Sequence, residues 1–303
     1  MLGDSFPERV QVGEEDLFTA PFEQSNARVE VLNAGVGRFS GSKPFMNPAL
    51  IHSALTVEVE AAAPDAVRVR ELQPADFARW DEFVSACPEA TFFHRAGWKT
   101  VIERAFGHRT KFLYAEADGR IEGVLPLAEV KSILFGHVLV SLPFCVYGGI
   151  AAGSERARHT LDVAARALAE EWHVDHLEYR SLTPHNPEWA HTDLYVTFRK
   201  AIDPDVERNL NEIPRKQRAM VRKGIKAGLK GEIDEGVERF FAAYAESVHR
   251  LGTPVFSKRY FETLREVFGP DCEVLTVTLD EGLVASVMSF YFRDEVQIGR
   301  AHV

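Results

Sequence analysis

The strongest candidate for a functional site in this sequence is a short segment with seven basic side chains and no acidic one. The segment, residues 214–230, reads PRKQRAMVRKGIKAGLK. On a helix, with about 100° between successive residues, the seven fall within an arc of roughly 160°, and the leading proline suits a helix start. Like charges at helical spacing repel, so the pattern favours a polyanionic ligand over a merely solvated face. The seven are Arg215, Lys216, Arg218, Arg222, Lys223, Lys226 and Lys230.

The remaining residues of this segment predict how the helix packs. Ile213, Met220, Val221 and Ala227 lie mostly opposite the cations and are expected to face the core. The basic face would then hold a pyrophosphate, a coenzyme A or a tRNA backbone, each of which offers phosphate oxygens to cations.

A second candidate site is the segment Tyr147, Gly148 and Gly149, where an apolar strand runs into glycines and then a helix. Backbone amides at such a junction can cradle an anion, and Tyr147 could stack on a ligand. A purely structural turn with Tyr147 in the core is the alternative, because strand–glycine–helix junctions are common.

Other catalytic patterns are missing from the sequence. The histidines show no metal-binding spacing, and no serine or cysteine has a nucleophile motif around it, so we expect no metal. Three widely separated cysteines predict neither a disulfide framework nor a zinc site, which indicates a reducing, cytoplasmic location.

Composition predicts a globular protein of about two domains, at roughly 150 residues per domain. The chain has 303 residues, 46% of them hydrophobic, and a net charge of −10. Ten acids against four basic residues lie in residues 1–66, which we interpret as a disordered or spurious leader, with a functional acidic arm as the alternative. The uncharged stretch 132–153 contains a proline and several glycines and predicts two buried strands rather than a membrane span.

An internal repeat carries the prediction of the fold. Residues 100–107 (TVIERAFG) and 262–269 (ETLREVFG) each end a predicted helix, and each is followed by a strand, a turn with an acid and a glycine, and a second strand. Gly119 and Gly282 are expected at corresponding turn positions. Such self-similarity predicts two copies of one α/β (α+β) unit, with mixed sheets flanked by helices, over residues 67–203 and 204–303.

The second copy is shorter than the first by roughly 50 residues, as judged by this comparison of the copies. We therefore expect a C-terminally truncated second domain, and we interpret residues 298–303 (IGRAHV) as non-native.

Five segments together resemble the FemAB-like proteins associated with exosortase/PEP-CTERM systems. They are FHRAGW (93–98), LPL (125–127), SLPFCVYGG (141–149), IPRKQRAMVRKGIKAGL (213–229) and LGTPVF (251–256). The resemblance covers residues 66–296 and implies a pair of GNAT-like (N-acetyltransferase) domains. It implies an acyl- or aminoacyltransferase that acts on a cell-envelope or exopolysaccharide precursor.

The implied donor is acyl-CoA or aminoacyl-tRNA, used as a substrate rather than as a tightly bound cofactor. Partners would be a phosphorylated small molecule or glycan precursor, and tRNA where it is the donor. By the match of RKQRAMVRK, phosphate binding is assigned to Arg215, Lys216, Arg218, Arg222 and Lys223. The catalytic residues are unknown and are expected beyond residue 303. A non-catalytic RNA- or polysaccharide-binding adaptor on a degenerate fold is the alternative.

Overall fold

The computed structural model describes residues 28–31, 66–132, 136–192 and 196–302. These residues form two units. The first unit contains the described residues between 66 and 196 together with 266–268, and the second contains 28–31, 197–265 and 269–302. The division at 196/197 lies seven residues before the boundary predicted from the sequence. Cys87, Cys145 and Cys272 are buried and form no disulfide.

The first strand of the chain, β1 (Arg28–Val31), belongs to the second unit, although it lies within the predicted leader. The remainder of residues 1–65 lies outside the described residues. The elements of the first unit then follow in chain order. They are β2 (Arg68–Glu71), α1 (Phe77–Ala86), α2 (Gly97–Val101) with a π-helical turn (Ile102–Phe106), β3 (Thr110–Ala117), β4 (Arg120–Ser132), β5 (Gly136–Ser141), β6 (Ala151–Ala152), α3 (Glu155–Glu171) and β7 (His176–Glu178).

The sheet of the first unit has the strand order β2-β3-β4-β5-β7, and β6 pairs with β4. Side chains alternate between its faces, and β3 is buried on both because helices cover each side. On one face, Leu113 packs with Leu161 of α3. On the other, the ring of Phe112 stacks on Trp80 of α1 at a centroid distance of 5.7 Å. This two-sided burial explains the nearly continuous apolar run of β3.

The second unit is built in the same way. Its elements are β8 (Phe198–Ala201), α4 (Val206–Glu212), α5 (Arg215–Lys226), β9 (Lys230–Asp234), α6 (Glu238–Arg250), α7 (Lys258–Phe268), β10 (Cys272–Leu279), β11 (Gly282–Phe292) and β12 (Glu295–His302). Its sheet has the order β8-β1-β12-β11-β10-β9. The buried rings of Phe240, Tyr244 and Phe261 pack α6 against α7, with Tyr244 and Phe261 at 4.8 Å.

The predicted duplication is present. The run β2–α1–α2–β3–β4–β5 corresponds to β9–α6–α7–β10–β11–β12, and in both units the last three strands form an antiparallel meander. In each unit the helix before the meander ends at a glycine with positive φ, Gly107 (+69°) and Gly269 (+54°). β5 then pairs in parallel with β7, and β12 pairs in parallel with β1. β1 therefore occupies the sheet position that β7 has in the first unit.

The predicted equivalence of Gly119 and Gly282 is wrong by one residue. In the first hairpin Ala117 pairs with Arg120, so Asp118 and Gly119 form the turn. In the second, Leu279 pairs with Gly282, which places Asp280 and Glu281 in the turn. All four turn residues have positive φ, as a two-residue hairpin turn of this twist requires.

The uncharged stretch 132–153 contains β5 and β6 and no helix among its described residues. None of the helices in the described ranges combines the length and the apolar character needed to cross a bilayer.

Candidate functional site

The basic segment forms α5, but the helix is shorter than predicted. Pro214 is its N-cap, and the helix ends at Lys226 because Gly228 adopts a φ of +90°, which leaves the helical conformation. Lys230, predicted on the same face, is instead the first residue of β9. Six of the seven cations therefore share the helix.

The predicted core face of α5 is only partly correct. Val221 is buried, as is Ile213 immediately before Pro214. Met220 is 54% exposed, and Ala227 is also exposed. Because α5 contacts its unit along a single narrow stripe, apolar side chains only about one third of a turn away from Val221 already face solvent.

The cations of α5 have no acidic partner among the described residues. Arg215, Lys216, Arg222, Lys223 and Lys226 are exposed, and Arg218 is half-buried. The Arg218 guanidinium donates to the backbone oxygen and to Oδ1 of Asn211 at 3.1 and 2.8 Å, which ties α5 to the end of α4. Arg218 thus has a structural contact, whereas the five exposed cations present their charge to solvent.

Tyr147 and Gly149 line a cavity of about 310 Å³ in the first unit. The cavity lies beside the ends of β5 and β7, where the chain leaves the parallel pair. Its deep residues, which are Thr91, His94, Tyr147 and Gly149, are buried, and its outer residues, which are Ser181, Leu182, Thr183 and His185, are exposed. The volume is at the lower end of the range of small-molecule sites.

The glycine amides of this segment are already used by the fold. The backbone N–H groups of Gly148 and Gly149 both donate to the carbonyl oxygen of Arg180, at 3.0 and 3.3 Å. A Cβ at position 148 would lie 2.6 Å from the Ser141 carbonyl oxygen, so only glycine lets the loop approach the strand end. These contacts favour the structural turn over the anion cradle for Gly148 and Gly149.

Ser154 caps α3 separately, by accepting from the Ala157 amide at 3.2 Å. The helix N-terminus thus has its own cap several residues beyond the two glycines.

His94 is a residue that the spacing of histidines did not single out. It is buried, and its Nδ1 accepts from the Thr91 backbone N–H at 3.0 Å. Nε2 therefore carries the proton and donates to the Gly149 carbonyl oxygen at 2.9 Å. The FHRAGW motif contained this histidine, but only the tertiary structure shows that it holds the cavity floor.

An ion pair borders the same cavity. Arg158 of α3 is buried, and its Nη2 lies 2.7 Å from both carboxylate oxygens of Glu89. The Ala152 amide donates to the same carboxylate at 3.0 Å. Partial burial would raise the pKa of Glu89, but these bonds outweigh it and hold the pKa below its ordinary value. Glu89 is therefore a charged structural acceptor.

Within residues 66–132, 136–192 and 196–302, no three His, Cys, Asp or Glu side chains come together in an arrangement that could hold an ion.

The described fold is α/β, with two mixed sheets flanked by helices. No protein-family model matches the sequence, and no curated protein matches it. Among solved structures, the chain is similar to FemX at 17% identity and a TM-score of 0.49, over 70% of this chain. It spans 58% of the FemX chain.

Two acetyltransferase structures are similar to smaller parts of the chain. A GNAT family acetyltransferase from Staphylococcus aureus is 11% identical over 43% of this chain and 96% of its own, with a TM-score of 0.32. A ribosomal-protein-alanine N-acetyltransferase from Brucella melitensis biovar Abortus is 18% identical over the same shares, with a TM-score of 0.28.

Proposed function

We propose that this chain is part of an acyl- or aminoacyltransferase that acts on a phosphorylated cell-envelope or exopolysaccharide precursor. Acyl-CoA or aminoacyl-tRNA is the proposed donor. The proposal is supported by the motif resemblance, which covers residues 66–296, and by the repeated unit. The observation that carries it is the exposed basic face of α5 at the position of the RKQRAMVRK motif, which has no acidic partner among the described residues.

The proposed role of α5 is to position a phosphate rather than to do chemistry. Arg215, Lys216, Arg222 and Lys223 offer donors without an acidic competitor among the described residues, so a phosphate need not displace an existing ion pair. Arg218 contributes less freely because Asn211 occupies part of its guanidinium.

The proposed reaction is direct transfer. An amine or hydroxyl of the acceptor attacks the thioester or ester carbonyl of the donor, the new amide or ester bond forms, and the thiol or the tRNA hydroxyl leaves with the proton. No covalent enzyme intermediate is needed when donor and acceptor are held in contact. Backbone amides would polarise the donor carbonyl. The amides of Gly148 and Gly149 already donate to the Arg180 carbonyl oxygen, so they are engaged by the fold.

The test compares donors directly on the purified 303-residue chain. The affinity of the chain for acyl-CoA and for aminoacyl-tRNA is measured at increasing salt concentrations. Cations that contact several tRNA phosphates release counterions on binding, so the affinity for tRNA should fall steeply with salt, whereas the affinity for coenzyme A should not. Turnover of each donor is followed with envelope and exopolysaccharide precursors as acceptors. Multiple turnover of either donor supports the transferase, whereas RNA or polysaccharide binding with no transfer supports the adaptor.

A matched pair of variants tests the role of α5. The double variant R222A/K223A should weaken binding of the phosphorylated partner about tenfold or more, since each lost charged hydrogen bond costs about 1.5–3 kcal/mol. The control R156A/R259A removes the same charge from exposed positions on α3 and α7. Equal binding by R222A/K223A and the control would overturn the assignment.

A further inference from the structure

We propose that the cavity of the first unit is a second binding site, which takes a small ligand through a carboxylate or phosphate oxyanion. The binding groups are the Arg180 guanidinium, the His185 imidazole and the hydroxyls of Ser181 and Thr183. This site goes beyond the proposed phosphate contact of α5, and it does not depend on the transferase assignment.

Arg180 is held in place before any ligand arrives. Its Nε donates to Glu178 Oε1 at 2.8 Å, and its Nη1 donates to the Cys145 carbonyl oxygen at 2.8 Å. Its backbone carbonyl accepts the Gly148 and Gly149 amides. Nη2 has no partner among the described residues, and the side chain is 29% exposed where it lines the cavity. A fixed guanidinium with one free nitrogen binds an oxyanion with little loss of side-chain entropy.

Two acceptors that line the cavity, the Glu89 carboxylate and the Gly149 carbonyl oxygen, are already engaged by donors of the protein. Both oxygens of Glu89 accept from Arg158, and one also accepts from the Ala152 amide. The Gly149 carbonyl oxygen accepts from His94. The lining carboxylate is therefore paired with Arg158 rather than with the free Arg180 nitrogen.

The donors on the outer wall are free. Ser181, Thr183 and His185 are exposed and make no side-chain hydrogen bond within the described residues, although His185 also interacts electrostatically with the Glu89 carboxylate. Gly149 brings the Ser181 hydroxyl close, because a Cβ at position 149 would lie only 2.1 Å from it. A lining with several free donors and occupied acceptors suits a ligand that accepts hydrogen bonds. Carboxylates and phosphates do so most strongly with Arg and His.

Glu178 offsets part of the positive charge of Arg180. We therefore expect the oxyanion to be recognised through directed hydrogen bonds more than through the net positive charge of the site. The cavity volume of about 310 Å³ accommodates a metabolite-sized group rather than a polymer.

The experiment titrates the 303-residue chain with inorganic phosphate and, separately, with acetate. Both titrations use an R222A/K223A background, so that α5 does not contribute to the signal. Nuclear magnetic resonance shifts of the Gly148 and Gly149 amides report binding at Arg180, since both amides donate to its carbonyl. Tighter binding of phosphate or of acetate decides between the two sources of the oxyanion, and saturable shifts with either one support the site.

Variants then locate the site. R180Q should raise the dissociation constant about tenfold or more, and H185A/T183V should raise it several-fold. The controls R156Q and H159A, at exposed positions on α3, should leave it unchanged. If circular dichroism shows that R180Q does not fold, H185A/T183V decides, because both side chains are exposed. The proposal is overturned if neither anion gives saturable shifts, or if a folded R180Q or H185A/T183V binds as tightly as the controls.

Discussion

His94 donates from Nε2 to the carbonyl oxygen of Gly149 across 2.9 Å and so joins segments that are 55 residues apart in the chain. The same ring accepts the Thr91 amide through Nδ1 at 3.0 Å. One buried imidazole therefore connects the turn after α1 to the loop after β5, and together they form the floor of the cavity.

Replacing His94 should destabilise the first unit. In H94A the buried Thr91 amide and Gly149 carbonyl both lose their partner, and leaving such groups unsatisfied costs about 1–3 kcal/mol each. We expect the free energy of unfolding in urea to fall by about 3 kcal/mol. H159A, an exposed histidine on α3, serves as the control and should change it by less than about 0.5 kcal/mol. Equal stability of the two variants would contradict the bridging role.

The Glu89–Arg158 pair predicts a pH dependence of stability. Burial raises the pKa of Glu89, but its hydrogen bonds to Arg158 and Ala152 lower the pKa by a larger amount. The folded-state pKa therefore lies below the ordinary value of 4.5. A carboxyl with a depressed folded-state pKa adds stability above its unfolded-state pKa and loses it as the pH falls through the folded-state value. Wild type should therefore exceed E89Q in unfolding free energy near neutral pH. The gap should narrow as the pH falls below 4.5 and through the depressed folded-state pKa of Glu89.

Urea unfolding of wild type and E89Q from pH 7 to pH 3 measures this gap. E82Q, which changes an exposed glutamate on α1 of the first unit, controls for the loss of one negative charge. If the difference in unfolding free energy between wild type and E89Q stayed constant from pH 7 to pH 3, the Glu89–Arg158 ion pair would be excluded as its source.

Introducing glycine in the second hairpin turn and removing it from the first should change the stability of the protein in opposite directions. Glu281 has a φ of +65° at the position where the first hairpin has Gly119 at +74°. E281G should raise the unfolding free energy by about 0.5–1 kcal/mol, because glycine adopts this conformation without the Cβ penalty. G119A should lower it by about 1 kcal/mol from φ strain alone, since no atom lies within 4 Å of the added Cβ. Thermal and urea unfolding test both, and the same sign for both variants would contradict the assigned turns.

The basic face of α5 should cost stability. Arg222 lies four residues from both Arg218 and Lys226, and like charges at this spacing destabilise a helix by about 0.2–0.5 kcal/mol per pair. R222A should therefore raise the unfolding free energy at low salt, and the gain should shrink in about 1 M salt, where screening is nearly complete. R259A on α7 is the control. A gain that does not depend on salt would show that helix propensity, not repulsion, is its cause.

Local patterns predicted much of this fold because their causes are local. The Asp118–Gly119 turn follows from the need for positive φ, and the start of α3 follows from the Ser154 cap. The helix–glycine–hairpin repeat could be read twice in the chain for the same reason. The basic face of α5 was also visible, since it depends only on the helical period.

The cavity could not be predicted in this way because contacts distant in sequence create it. Arg158 and His94 resemble an ordinary helix cation and an ordinary scattered histidine until the fold brings them to Glu89 and Gly149. Arg180 became a candidate binding residue only when its partners Glu178 and Cys145 were known.

The apolar run after residue 136 shows where local reasoning ends. Its composition predicts a strand as far as Gly149, yet β5 stops at Ser141, and Leu142 and Phe144 take positive φ values of 59° and 67°. Composition alone determined that this run would be largely buried, with Leu142 fully and Phe144 partly so. Tertiary packing decided the path of the chain. Leu142 is buried, and the ring of Phe144 stacks on Phe106 at a centroid distance of 4.1 Å. These contacts offset the strain of two positive φ values, which local preference disfavours.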